Sequence, residues 1–229
     1  MRWAAFVVSF AVGILRLSAQ EPEAWLVPFG CAFEHDIQEF NQVFVRNNLP
    51  EFSRRIYGWG VELRSLAGGN ILIGPMYFRV QEQVRNDSFQ LRTETWSIMG
   101  EAGLKLPIFG FMTVTPMIGL GGVQPAFQVK QLKGDVELDS LLKAPGRMAS
   151  FSPGIKLAGL AALEISLNLP TKAGKYGVAL RGGYLYSPFA LRWCLPDGSE
   201  VRGAPDSRIR GFWVSAGLTL IPAPEVETE

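Results

Sequence analysis

A chain of 229 residues sets 22 Lys and Arg against 21 Asp and Glu for a formal charge of +1, which argues against a nucleic-acid partner because no basic surplus is available to neutralise phosphates. Hydrophobic residues make up 48%, yet no uncharged apolar run after Leu15 approaches the ~20 residues that a transmembrane helix needs. The length suits one domain with a substantial core, so the apolar content must be spread over strands.

Arg2, the apolar stretch Trp3 to Leu15 and a small-residue cleavage site at Leu17-Ser18-Ala19 have the layout of a secretory signal, with residues 1–19 removed on export. Losing Arg2 and Arg16 leaves 20 basic against 21 acidic side chains, and the mature chain stays near neutrality. The remainder reads as one β domain over 20–221 and an acidic tail over 222–229.

Strands are expected at about 24–33, 56–66, 70–84, 88–105, 109–129, 150–168, 176–194 and 208–221. The last is the plainest: Phe212, Val214, Ala216, Leu218 and Leu220 alternate without a break with Trp213, Ser215, Gly217 and Thr219, the two-residue period of a strand with one apolar face. The second sets Tyr57, Trp59, Val61 and Leu63 against Gly58, Gly60, Glu62 and Arg64. The third sets Leu72, Met76, Phe78 and Val80 against Tyr77, Arg79 and Gln81. Several segments exceed the ordinary ~5–6 residues of a soluble strand and reach the ~9–11 tilted residues that cross a bilayer.

Between the first two strands, Asp36 with Glu39 three residues on forms a capping-box arrangement for a helix over about 36–48. Ile37, Phe40 and Phe44 then share one face. Such a helix either plugs the barrel mouth or packs on its rim. The loop from Lys130 to Gly146, with Asp135, Glu137 and Asp139 alternating with Val136 and Leu138, reads as a solvated hairpin extension rather than a calcium site.

Links after the second and fourth strands are short, and those after the first, fifth and seventh are long. This alternation is expected when both termini are periplasmic. An aromatic girdle is expected from Trp25, Phe109 and Tyr176 at one rim and Tyr57, Trp59, Trp193 and Phe212 at the other. Pro75, Pro116 and Pro188 each call for a bulge or break, since a closed barrel has no free edge to accommodate a missing N–H. In the fourth strand, Gln90, Arg92 and Glu94 share a phase with Trp96 and Ile98, and a bulge near Thr95 would restore the parity.

Glu62, Arg64, Arg79, Glu94, Glu164 and Arg181 are expected to form a structural ionic cluster in the lumen, with Glu101 on the same polar face. An interior of about eight strands is only wide enough for side chains. Cys31 and Cys194 admit either a disulfide or two separate thiols. His35 is the only histidine; it sits beside Asp36 at a helix start, so capping surroundings explain it better than a catalytic triad. No catalytic, cofactor or metal set is expected.

The export signal, the alternating segments, the loop asymmetry and the final Gly211-Phe212-Trp213-Val214 to Ile221 strand resemble the small, about eight-stranded outer-membrane β-barrel proteins of bacteria. That resemblance implies an all-β, closed, antiparallel up-and-down transmembrane barrel in the outer membrane with periplasmic termini. It also implies outer-membrane lipid and the barrel-assembly machinery as partners, and a structural or surface-interaction role without bulk transport or enzymatic activity. The same alternation fits a secreted lipocalin-like barrel with an apolar ligand inside. An outer-membrane lipid hydrolase using His35 is the remaining alternative.

Overall fold

The computed structural model describes residues 24–132, 148–171, 174–205 and 208–222. The expected signal over 1–19, the acidic tail beyond residue 222 and the loop carboxylates Asp135, Glu137 and Asp139 lie outside the described residues.

In chain order the elements are β1 (Ala24–Glu34), the helix α1 (Gln38–Arg46), β2 (Arg55–Leu66), β3 (Ile71–Arg85), β4 (Phe89–Leu104), β5 (Leu106–Phe109), β6 (Met112–Gln131), β7 (Met148–Phe151), β8 (Lys156–Thr171), β9 (Gly174–Ala190) and β10 (Arg208–Pro222). The short β5 and β7 pair with β6. The other eight make an antiparallel wall in the order β4-β3-β2-β1-β10-β9-β8-β6, and pairing of β4 with β6 closes it. Every wall strand is thus bonded on both sides, which removes the open edges that would otherwise recruit other chains.

Chain parity sets the two faces. On β10, Trp213 and Thr219 are buried while Phe212, Val214, Leu218 and Leu220 stand exposed on the exterior. On β8, Leu157, Leu163, Ile165, Leu167 and Leu169 are likewise exposed, opposite the buried Ala158, Leu160, Glu164 and Ser166. This apolar exterior runs over thirteen residues of β8, more than the ~9–11 a tilted strand needs to cross a bilayer. Close packing inside requires some of the glycines: a Cβ at Gly60 would stand 2.2 Å from the Phe29 ring.

Three expectations need correction. No bulge interrupts β4, whose register with β3 and β6 is continuous from Phe89 to Gly103. Since a one-residue slip would turn every side chain to the other face, Gln90, Arg92 and Glu94 remain on the exterior with Trp96. Pro116 pairs with Leu163 without a shift of register. Pro75 lies opposite Leu63 in a gap of the β2–β3 ladder, where its missing N–H costs least. Pro188 does coincide with an irregularity, the offset between the Ala190–Arg208 and Tyr186–Arg210 pairs. Finally, the seventh expected strand stops at Ala190 rather than 194, and the chain from Leu191 folds inward over the mouth.

Candidate functional site

The chain ends described here, Ala24 and Pro222, lie at one end of the barrel, and α1 lies at the other, the cap end. At the terminal end Trp25, Val27, Leu72, Met117 and Ile221 form an apolar layer. The Lys105 ammonium stands 6.0 Å from the Trp25 ring.

Above that layer sits the ionic cluster. Arg64, from β2, donates from Nη1 to Glu164 Oε1 at 2.6 Å and from Nη2 to Glu62 Oε2 at 2.9 Å, and its Nη2 also donates to Glu164 Oε2. Arg181, from β9, donates to Glu62 at 2.6 Å, to both oxygens of Glu101 at 2.9 and 3.1 Å, and to Glu164 Oε2 from Nε and Nη2 at 3.0 and 2.8 Å. The Ser166 hydroxyl adds a bond to Glu164 at 2.8 Å. Side-chain exposures of the five charged groups are 3% or less. Arg181 also stands 5.6 Å from the Trp213 ring. Removing two guanidiniums and three carboxylates from water is tolerable only because each is paired at hydrogen-bonding distance.

This layer unites Glu62, Arg64, Glu164 and Arg181 of the expected set with Glu101. Arg79 and Glu94 do not belong to it. They pair with each other at 2.7 Å on the exterior, because the unbroken registers of β3 and β4 carry their parity outward. The interior toward the cap end is apolar, with Phe29, Phe33, Ile56, Met76, Phe78, Val80, Leu91 and Trp213 packed together. Thus the Leu72-to-Val80 face of β3 points inward, and Ile71, Ile73 and Tyr77 point outward.

The mouth is closed by aromatic side chains. Phe40 and Phe44 of α1 are buried, and the Phe40 ring lies 4.8 Å from Phe127 and 5.0 Å from Trp193. Phe52 lies 5.7 Å from Phe127 and Phe151 5.7 Å from Trp193. The Asn41 amide clamps the chain at Phe52, donating to its carbonyl at 2.8 Å and accepting from its N–H at 3.1 Å. The expected capping box is absent: Ile37 is the N-cap and makes no side-chain cap bond. Asp36 Oδ2 instead accepts from both Arg210 Nε and Nη2, at 2.8 and 2.6 Å, a charge-assisted contact. Two small cavities among the described residues, one beneath the cap and one at the terminal end, measure about 40 and 10 Å³. Beside the cap, an open cleft of about 740 Å³ is bordered by Asp36, Arg54, Arg210 and the exterior rings of Tyr184 and Phe212.

His35 Nε2 stands 3.1 Å from the Ser53 carbonyl oxygen, so a backbone group occupies the position that a nucleophilic hydroxyl would take. Burial outweighs that bond and the nearby Glu82 and Asp36 carboxylates, and it pushes the imidazole below its ordinary value. Cys31 is buried in the wall and Cys194 half-buried in the cap, both as free thiols. Of the two alternatives the structure has the separate thiols: Cys31 points inward from β1, and Cys194 lies past the end of β9, tied by backbone bonds to Ser152. Among the girdle residues, Tyr57, Trp59, Phe109, Tyr176 and Phe212 stand exposed on the exterior. Trp25 and Trp193 are buried instead, Trp25 by sharing the inward parity of Val27 and Trp193 by lying past the end of β9. The aromatic seal itself carries no period, because Phe52, Trp193 and Phe127 come from a loop, a strand-end extension and a wall strand. Only the spacing of Phe40 and Phe44 announces it.

No protein-family profile and no curated protein matches the chain. Among solved structures, it is similar to the crystal structure of Ail, the attachment invasion locus protein of Yersinia pestis, in complex with the heparin analogue sucrose octasulfate. Identity is 13%, coverage 88% of this chain and 100% of that one, and the TM-score 0.49. It is also similar to Neisserial surface protein A, with 12% identity, 87% and 97% coverage and a TM-score of 0.48.

Proposed function

We propose that this protein is exported to a bacterial outer membrane, spans it as a closed barrel with its termini in the periplasm, and serves a structural or surface-interaction role at the cap end. The observation that carries this reading is inside-out polarity: leucine, isoleucine and valine cover the exterior, while five charged side chains are paired in the interior. A soluble carrier needs the opposite, because an exposed apolar patch beyond a few hundred Å² drives association. Lipid is the solvent that suits this exterior, and barrel-assembly machinery is the partner that inserts such a wall.

Side chains occupy the lumen from the Trp25 layer to the aromatic seal, so the barrel conducts no bulk solute. The working surface is then α1, its flanking loops and the cleft beside them. The His35 partner is a backbone carbonyl, which supports a non-enzymatic role.

Fractionation of expressing cells followed by electrophoresis with and without boiling tests the reading. A band in the outer-membrane fraction whose mobility shifts on heating is expected. Recovery in the soluble periplasm would refute it and turn attention to a ligand inside the barrel. Proteolysis of intact cells should cut near α1 and spare a tag placed at the carboxyl end.

A further inference from the structure

The exterior of β3, β4 and β6 does not stay apolar to its cap end. Trp59, Tyr77 and Trp96 form an aromatic row, with the Trp59 and Tyr77 rings 5.7 Å apart, and Arg79 pairs across the sheet with both Trp59 and Trp96. Beyond the row, exterior parity places Arg85 and Arg92 on neighbouring strands, with Arg92 opposite Gln128 and Lys130 opposite Gln90. Four cations thus share one sideways-facing patch against two carboxylates among the described residues: Glu94, held by Arg79 at 2.7 Å and Arg92 at 3.0 Å, and Asp87, exposed in the turn between β3 and β4. Arg85 and Lys130 stand at the cap-end limits of β3 and β6.

We propose that this patch binds the anionic headgroups of lipids in the outer leaflet. The inference rests on the membrane reading above. Two observations select lipid as the occupant. The surplus of positive charge calls for anions, and the patch continues the lipid-facing wall directly above an aromatic row of the kind that marks a headgroup boundary. It faces sideways along the membrane rather than up from the cap, so its immediate neighbours are headgroups.

The tryptophans provide the assay. Trp25, Trp193 and Trp213 are buried, whereas Trp59 and Trp96 lie on the lipid-facing wall beneath the patch. In vesicles of mixed composition, phosphatidylglycerol or phosphatidylcholine brominated high on the acyl chain therefore quenches these two selectively. A basic side chain at an anionic surface is worth on the order of a fivefold change in affinity. At equal mole fraction, brominated phosphatidylglycerol is expected to compete for this wall roughly fivefold or more better than brominated phosphatidylcholine. The preference should fade with added salt and vanish in the triple variant Arg85→Gln, Arg92→Gln, Lys130→Gln. Arg92→Lys alone should retain it, which separates lost charge from disturbed folding. Equal quenching by the two lipids in the unaltered protein, or a preference that survives the triple variant, would overturn the proposal while leaving the barrel in the membrane. Quenching by neither lipid would instead sink the membrane reading. Displacement by soluble polyphosphate without any preference between lipids would also overturn the assignment to lipid.

Discussion

Arg181→Met is the sharpest test of the buried ionic layer. In the native barrel Arg181 donates five hydrogen bonds to three carboxylates, and its side chain is 2% exposed. The substitution leaves Glu62, Glu101 and Glu164 facing Arg64 alone, and Glu101 loses the guanidinium that holds both its oxygens. Breaking a buried pair by removing one partner costs about 3–5 kcal/mol, because the stranded charge stays out of water. A second substitution locates that cost. Adding Glu101→Gln removes the stranded charge, so the double variant should recover about 1–3 kcal/mol, a coupling expected between groups in direct contact. Urea unfolding in lipid vesicles, read by the heat-dependent band shift and by Trp fluorescence, measures both. A cost for Arg181→Met below about 1 kcal/mol would refute the reasoning. So would a double variant as unstable as the sum of the single ones.

Leu163→Arg should destabilise the folded barrel by about 2–4 kcal/mol in the same vesicles, since it places a charge on the exterior near the middle of the apolar band; a cost near zero would argue against lipid at that position. Phe40→Ala removes the ring shared by Phe127 and Trp193 and should loosen α1 by about 3–5 kcal/mol. Amide exchange over residues 38–46 should then accelerate by at least a hundredfold while the band shift of the wall persists, and unchanged exchange would contradict the seal. His35 is depressed in the folded state, so the unfolded cap takes up the proton first. Packing at the cap end is therefore at full strength above pH 6.5, the ordinary value, and weakens as the pH falls below it. An NMR titration of the imidazole with a midpoint at or above 6.5 would reverse the sign.

Much of the wall is legible in the sequence because side-chain direction in a strand is a local property. Phe212 to Leu220 and Leu157 to Leu169 alternate with period two, and no distant residue can alter which of them share a face. The helix is legible on the same grounds, from the spacing of Ile37, Phe40 and Phe44. Parity alone does not say which set points inward where both faces are apolar, as on β3. There the packing of Met76 and Phe78 against Phe29 and Trp213 decides. Nor does parity carry height along the barrel. Arg79 and Glu94 look like lumen residues in sequence, yet they stand on the exterior, Arg79 level with Trp59 and Trp96 and Glu94 one step nearer the cap, where water and headgroups solvate a charge that mid-bilayer lipid would not. Sequence distance pairs Asp36 with the nearest backbone donor of the helix, but closure of the barrel delivers Arg210 from 174 residues away as its partner. What the sequence by itself determined is thus the strand period, which side chains share a face and the existence of a helix, all set within a few residues. Tertiary structure alone decided which charges meet, which tryptophans turn inward and how the mouth is sealed, because each depends on groups that only the closed barrel brings within reach.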